Sequence, residues 1–311
     1  MNNFEKIQNI IKLKAECEAK LKLIPYDGSP EIKENNSGKY LYMRKRENGK
    51  LKSKYVDKYS LDLYNLLLQN AKEARELKKQ IRKCDKELAI LGYTGLKLEP
   101  KIIRSLEFAR INMKINIYNQ AILEGVATTF PQTETIIENG EVFGMKATDV
   151  QKILNLKHAW EFILDEDIIA SKTDYYLLSY IAKLVNEGFY SEGGKIRSVP
   201  VLIGGSSYRP AIPIEASVKE NIEEIINSSL NDSDKAIELC LYTMKTQIFN
   251  DGNKRAAVIF ANHYLISRGC GMIVISENYV KEFKELLVNY YEDKDNRIKD
   301  FIREKCYISL D

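Results

Sequence analysis

The stretch from Ala236 to Leu265 constrains the fold of this chain more than any other. Ala236, Ile237, Cys240, Leu241, Met244 and Ile248 recur at helical spacing, and Ala257, Val258, Ala261, Tyr264 and Leu265 do so again downstream. Two amphipathic helices are therefore joined by the run Gln247-Ile248-Phe249-Asn250-Asp251-Gly252-Asn253-Lys254-Arg255. Asp251-Gly252-Asn253 interrupts both helices, because glycine admits positive φ and Asp and Asn favour turns. The first backbone N–H groups of the second helix have no partner within it. Such a helix start attracts anions, and Lys254 and Arg255 add positive charge to it. Asp251 is placed to hold a divalent cation against phosphate oxygens.

These residues resemble the signature loop of the Fic/Doc (Fido-domain) family, His-x-Phe-x-Asp/Glu-Gly-Asn-Gly/Lys-Arg, through Phe249, Asp251, Gly252, Asn253, Lys254 and Arg255. Members of that family bind a nucleotide, usually ATP, with Mg2+, and transfer AMP or another phosphate-containing group to a hydroxyl of a target protein. The resemblance implies that Asp251 holds the metal and that Phe249 anchors the loop. It also implies that Gly252, Asn253 and Lys254 contact the nucleotide and that Arg255 neutralises phosphate charge.

Two positions depart from the pattern. Gln247 stands where the family has the histidine that takes the proton from the attacking hydroxyl, and an amide does not titrate near neutral pH. Loss of a general base costs roughly 10²- to 10⁴-fold in rate, so binding can outlive turnover. Val258 stands where many members carry a second arginine.

Two further segments fit the same resemblance. Leu123-Glu124-Gly125 is similar to the family's inhibitory segment, in which the glutamate reaches into the nucleotide pocket, with Gln120 at the Ser/Thr position. Read from the residues alone, Glu124-Gly125 is a helix end with a glycine cap. Alternation at Val199, Val201 and Ile203, a turn at Gly204-Gly205 and a return through Tyr208 predict a hairpin after a Gly-x-x-Arg turn. Its place is that of the family's flap, which docks an extended segment of the target by strand addition; Val201, Ile203, Gly204 and Tyr208 are its expected contacts.

The first hundred residues differ in character. They hold about 22 Lys and Arg against about 14 Asp and Glu, whereas the whole chain carries only +3. A helix over 4–23 is followed by a polar stretch through Asn35-Asn36-Ser37-Gly38, which reads as a loop. Lys39–Arg46 and Leu51–Tyr59 flank Asn48-Gly49 and predict a basic, tyrosine-rich β-hairpin. Such a hairpin either binds nucleic acid, with its tyrosines stacking on bases, or is a solvated ribbon whose tyrosines cover neighbouring helices. Leu67, Ala74, Leu77, Ile81, Cys84 and Leu88 predict a long helix ending at Gly92, paired with the first helix or with its copy in a homodimer.

Between these regions, a helix is predicted over 103–123, a second Asn-Gly hairpin over Ile136–Val142, and a helix opened by a Thr148-x-x-Gln151 capping box. Helices over 173–187, 279–291 and 298–305 complete a helical core. His158 and His263 are expected to pack. Five scattered cysteines show no zinc or disulfide spacing. No apolar run reaches the ~20 residues of a membrane span, and the start of the sequence lacks a signal-peptide profile, so a cytoplasmic location without membrane contact is expected.

The sequence thus predicts a mainly α chain: a helix-hairpin-helix appendage over 1–100, a helical segment with the inhibitory motif over 101–170, and a Fic-like core with a hairpin flap over 171–311. The expected function is a protein nucleotidyltransferase weakened at Gln247. The alternative is a silent Fic-like module that regulates by binding nucleotide, protein or nucleic acid.

Overall fold

The computed structural model describes residues 3–26, 28–47, 50–93, 98–139 and 144–310. The chain divides into two compact units, Met1–Thr94 and Gly95–Asp311, so the second unit takes in the 101–170 segment and the 171–311 core together.

In the first unit, α1 (Asn3–Leu23) and α2 (Leu61–Ile90) pack against each other, although a three-stranded sheet separates them in the sequence. Ala15 and Ala19 of α1 and Ala71 and Ala74 of α2 are buried, small side chains that let the two helices approach closely. Lys14 pairs with Asp85 at 2.9 Å. Ser60 caps α2, its hydroxyl accepting from Leu63 N–H. The predicted hairpin is β2 (Gly38–Glu47) against β3 (Lys50–Lys58), antiparallel; Asn48-Gly49 lies outside the described residues. A third strand, β1 (Ser29–Asn35), pairs with β2 where a loop is expected. Its side chains are mostly exposed, so it left no hydrophobic alternation to read. Leu41 and Met43 of β2 pack on Leu67 of α2, with Tyr26, Val56, Tyr59, Leu63 and Tyr64 around them.

The second unit is helical: α3 (Pro100–Ile111), α4 (Met113–Leu123), α5 (Phe130–Asn139), α6 (Ala147–Ile163), α7 (Glu166–Ile169), α8 (Tyr175–Val185), α9 (Glu215–Asn227), α10 (Asp232–Thr246), α11 (Asn253–Arg268), α12 (Val280–Tyr291) and α13 (Arg297–Phe301). At its centre is α11, in which only Lys254, Ser267 and Arg268 escape burial. A helix buried on every side must be surrounded, and α3, α6, α8 and α10 surround it. A two-residue ladder between β4 (Met272–Ile273) and β5 (Tyr307–Ile308) ties the chain end to the segment after α11.

Several expectations change. The helix over 103–123 is two helices, broken at Asn112, whose side chain bonds back to Phe108 O. Ile136–Asn139 closes α5 instead of opening a hairpin, because Thr133, Ile136 and Ile137 form a buried helical face; residues 140–143 lie outside the described residues. The Thr148 capping box does not form: α6 begins at Ala147 after Lys146, without a side-chain cap. The α9 helix is additional to the expected set. Among the described residues, no helix is long and apolar enough to cross a membrane, and none of the five cysteines forms a disulfide.

Candidate functional site

The loop between α10 and α11 is built by its own side chains. Gln247 leaves α10 in the left-handed region, at φ 48°, and Gly252 enters α11 at φ 74°. A Cβ at position 252 would also stand 2.8 Å from Asn186 Oδ1, so glycine is required twice over. The Asn186 side chain, fully buried after α8, donates to Asp251 O at 2.9 Å and holds the loop against that helix. Asn253 turns its side chain inward: Nδ2 donates to Phe249 O at 2.7 Å and to Gln247 Oε1 at 3.2 Å, while Oδ1 accepts from Phe249 N–H. Phe249 is fully buried beneath them.

No side chain caps α11, and its first residues line a cleft of about 490 Å³. Gln247, Asp251, Gly252, Asn253 and Lys254 form one wall, with Glu124 from the end of α4 beside them. Val201, Ile203 and Gly204 form another, and Lys284, Leu287, Val288 and Tyr291 of α12 a third. Most of the residues implied by the signature loop are thus brought together with the flap. Two are not. Arg255 lies behind the cleft, 1 % exposed, donating to Val185 O at 2.6 Å and to Asp251 Oδ2 at 3.1 Å. Tyr208 stacks on Tyr291 at the far arm of the flap, 6.2 Å between ring centroids.

Glu124 is nearly buried, with Oε2 3.4 Å from Arg255 Nε and Oε1 3.7 Å from Lys254 Nζ. These are ion pairs without hydrogen bonds: Glu124 Oε1 and Arg255 Nε are both buried and unpartnered in that sense. Gln120, at the position that departs from the inhibitory pattern, has a structural task. Its amide donates to Arg255 O and accepts from Trp160 Nε1, fastening α4 and α6 to the start of α11.

The flap is a loop and not a paired hairpin. It turns at Gly204-Gly205, where Ser206 N–H donates to Ile203 O at 3.2 Å, but its arms carry no ladder. Pro200 and Pro210 lack donors, one in each arm. The carbonyls of Val199, Pro210 and Ala211 are taken instead by the buried guanidinium of Arg197, which also reaches Gln247 O at 2.5 Å. Arg197 N–H donates to Ile248 O, so this one residue fixes the flap's root to the loop. Burial pushes the Arg197 guanidinium below its ordinary pKa. The flap's tip is held by Glu292, whose Oε1 accepts from Ser206 Oγ and from Ser207 N–H and Oγ.

Two groups on α12 escaped the sequence reading. Burial, and then the charge of Lys254, lowers the pKa of Lys284, with Glu124 opposing. Burial raises that of Tyr291, so its phenol is a neutral group and not a base. Their only sequence signal is spacing: 284, 287, 288 and 291 share one helical face, with a lysine on an otherwise apolar stripe. The histidines offer no replacement base. His158 bonds Glu187 at 3.0 Å and His263 bonds Thr173 and Ile168 O; neither lines the cleft.

The donor set fits Mg2+. Among the described residues, no three His, Cys, Asp or Glu groups gather to cage a metal. Asp251, half exposed and using one oxygen on Arg255, leaves the other for a cation completed by phosphate oxygens and water, the usual manner of magnesium.

Comparison with known proteins agrees with this geometry. Residues 172–265 match the family model described as Fic/DOC family, and residues 4–65 match a domain of unknown function, DUF6788. No curated protein matches the chain. Among solved structures, Fic-1 (residues 134–508) of C. elegans is similar at 16% identity and a TM-score of 0.53, covering 78% of this chain and 79% of that one. A singly substituted form of the same C. elegans protein gives 17% and 0.54, covering 79% and 74%. A Fic family protein from Desulfovibrio desulfuricans G20 gives 15% and 0.50, covering 67% and 75%. At these identities the structures speak for the fold, and the sequence match speaks for the family: residues 172–265 form a Fic/DOC family domain that contains the loop before α11.

Proposed function

We propose that this chain is a protein nucleotidyltransferase that binds ATP with Mg2+ in the cleft and transfers AMP to a target hydroxyl, slowly, because Gln247 stands at the position of the general base. One observation carries the reading: the uncapped start of α11, Lys254, Lys284 and Asp251 converge on a single cleft beneath the flap. That cleft is of a size suited to a small-molecule ligand.

In the proposed reaction the target oxygen forms a bond to the α-phosphorus, the bond from that phosphorus to the bridging oxygen breaks, and pyrophosphate leaves. The hydroxyl proton passes to solvent, since the Gln247 amide has no site to take it. Mg2+ held by Asp251 would neutralise charge on the phosphate oxygens. Phosphoryl transfer depends mostly on positioning and charge neutralisation, so the reaction does not require a base outright. The flap's arms, free of a ladder, offer backbone groups for strand addition by the target, and Leu202 at its tip is 77% exposed. Glu124, beside Lys254 in the cleft, competes with phosphate for that charge and acts as the inhibitory residue.

A silent, binding-only module is the second reading. It is favoured by the amide of Gln247, whose Nε2 donates to Met244 O and whose Oε1 accepts from Asn253, so that both ends are already engaged within the loop. Gln247→His separates the two. Histidine is among the residues that tolerate the left-handed backbone of this position. A gain of roughly 10²- to 10⁴-fold in labelling of protein by radioactive ATP supports the transferase. Unchanged labelling, with nucleotide still bound by calorimetry, supports the binding module.

A further inference from the structure

Among the described residues, the outer face of the first unit's sheet has no partner in its own unit. Strand alternation turns Leu41 and Met43 toward α2 and sends Tyr40, Tyr42, Arg44 and Arg46 to the opposite side. Register then places Tyr55 of β3 directly across from Tyr42 and Lys33 of β1 across from Tyr40. The three tyrosine rings form one cluster: Tyr42 and Tyr55 meet edge to face at 5.6 Å, and Tyr40 and Tyr55 lie 6.3 Å apart. Lys33 Nζ sits 4.4 Å over the Tyr42 ring. The tyrosines that pack against the helical side are others, Tyr26, Tyr59 and Tyr64, so this cluster is not needed to cover the core.

The hairpin is also longer than its packing requires. Toward its turn the described residues bury nothing: Arg44, Lys45, Arg46, Lys50, Leu51, Lys52 and Ser53 are exposed. The three strands, residues 29–58, hold nine Lys and Arg against four acids, a surplus of five; Glu31, across from Tyr42, is the acid on this face and is taken up by Lys33 and Ser53. Basic side chains on a sheet edge also discourage strand pairing between molecules. That purpose calls for neither a platform of tyrosine rings nor arginines on the same face.

We propose that this face binds single-stranded nucleic acid, with bases stacked on Tyr40, Tyr42 and Tyr55 and the phosphates beside them met by Arg44 and Arg46, while Lys33, paired with Glu31 and seated over the Tyr42 ring, gives way to the base. Ring faces with cations beside them match a strand's alternation of base and phosphate. An acidic protein or an anionic membrane uses such charges and rings as well, but neither alternates a flat ring face with an anion along one strand. A duplex hides its base faces and offers nothing to the tyrosines. The proposal is independent of the cleft in the second unit.

The test is fluorescence anisotropy of the full chain with a labelled DNA or RNA strand of about twenty nucleotides, alone and annealed to its complement, across a salt series. Micromolar or tighter binding of the single strand, at least tenfold over the duplex, is expected. Tyr42→Ala with Tyr55→Ala should weaken it tenfold or more, since each stacked base is worth about 1–3 kcal/mol. Arg44→Gln with Arg46→Gln should flatten the slope of log affinity against log salt by about 1.4. All four residues lie outside the core, so circular dichroism of both variants should match the parent. Equal binding of strand and duplex that ignores the tyrosines would overturn the proposal. So would the absence of strand binding at low salt while phosphatidylserine vesicles or polyglutamate are retained.

Discussion

Glu124 Oε2 stands 3.4 Å from Arg255 Nε, and neither this nitrogen nor the glutamate's other oxygen has a hydrogen-bond partner. Arg255 is held independently by Asp251 and by Val185 O. The contact therefore contributes charge without geometry, and the charge that Glu124 withholds from an anion in the cleft is that of Lys254, 3.7 Å from its other oxygen. Glu124→Ala should tighten ATP binding by about tenfold or more in calorimetry. It should destabilise the fold by less than the ~3–5 kcal/mol typical of breaking a buried pair, because Arg255 keeps its other partners.

Lys284 faces the same cleft from α12, its charge disfavoured by burial and by Lys254. A bound phosphate offsets both penalties with opposite charge, so its share in binding should exceed that of an exposed lysine. Lys284→Ala is expected to weaken ATP affinity about tenfold, roughly one charge-assisted hydrogen bond, with little change in melting temperature.

Arg197 donates to the carbonyls of Gln247, Val199, Pro210 and Ala211 from a fully buried position. Lysine has the charge but not the planar fork, and would leave several of these acceptors unpaired. Arg197→Lys should lower stability by about 3 kcal/mol in urea unfolding and raise proteolysis between Val199 and Arg209.

Glu292 is held at a pKa of about 2, below its ordinary 4.5, by Lys294 first and then by the Ser207 amide and the hydroxyls of Ser206 and Ser207. A depressed carboxylate stabilises the fold above its unfolded pKa, and that contribution is lost as pH falls through the folded value. The flap's tip should therefore stay anchored down to about pH 4.5 and loosen progressively toward pH 2. Hydrogen exchange at the Ser207 amide should show this, and Glu292→Gln should show weaker protection already at neutral pH.

Much of the site's local chemistry is legible along the chain. Gly252 and its flanking Asp and Asn demand a left-handed turn between helices, and Phe249, fully buried, anchors the loop as the signature implies. Roles assigned by adjacency fare less evenly. Asn253 is read as a phosphate ligand, yet its side chain is spent on Phe249 and Gln247, so that only its backbone is left to meet an anion. Arg255 is read the same way and lies behind the wall. The flap's alternation is genuine, but Pro200 and Pro210 remove donors that a paired hairpin requires. The β1 strand was illegible because backbone pairing with β2 holds it, with almost no apolar side chain to announce it.

The sequence by itself determined the helices around the loop, the turn between them and the substitution at Gln247, because side-chain sterics and apolar spacing act within a few residues. Only the tertiary structure decided that Glu124 meets Arg255, that Arg197 roots the flap, and that α12 brings Lys284 and Tyr291 to the cleft. Those neighbours lie far apart along the chain. They come together only when the core closes around α11, and closure depends on how whole helices pack rather than on any one stretch of residues.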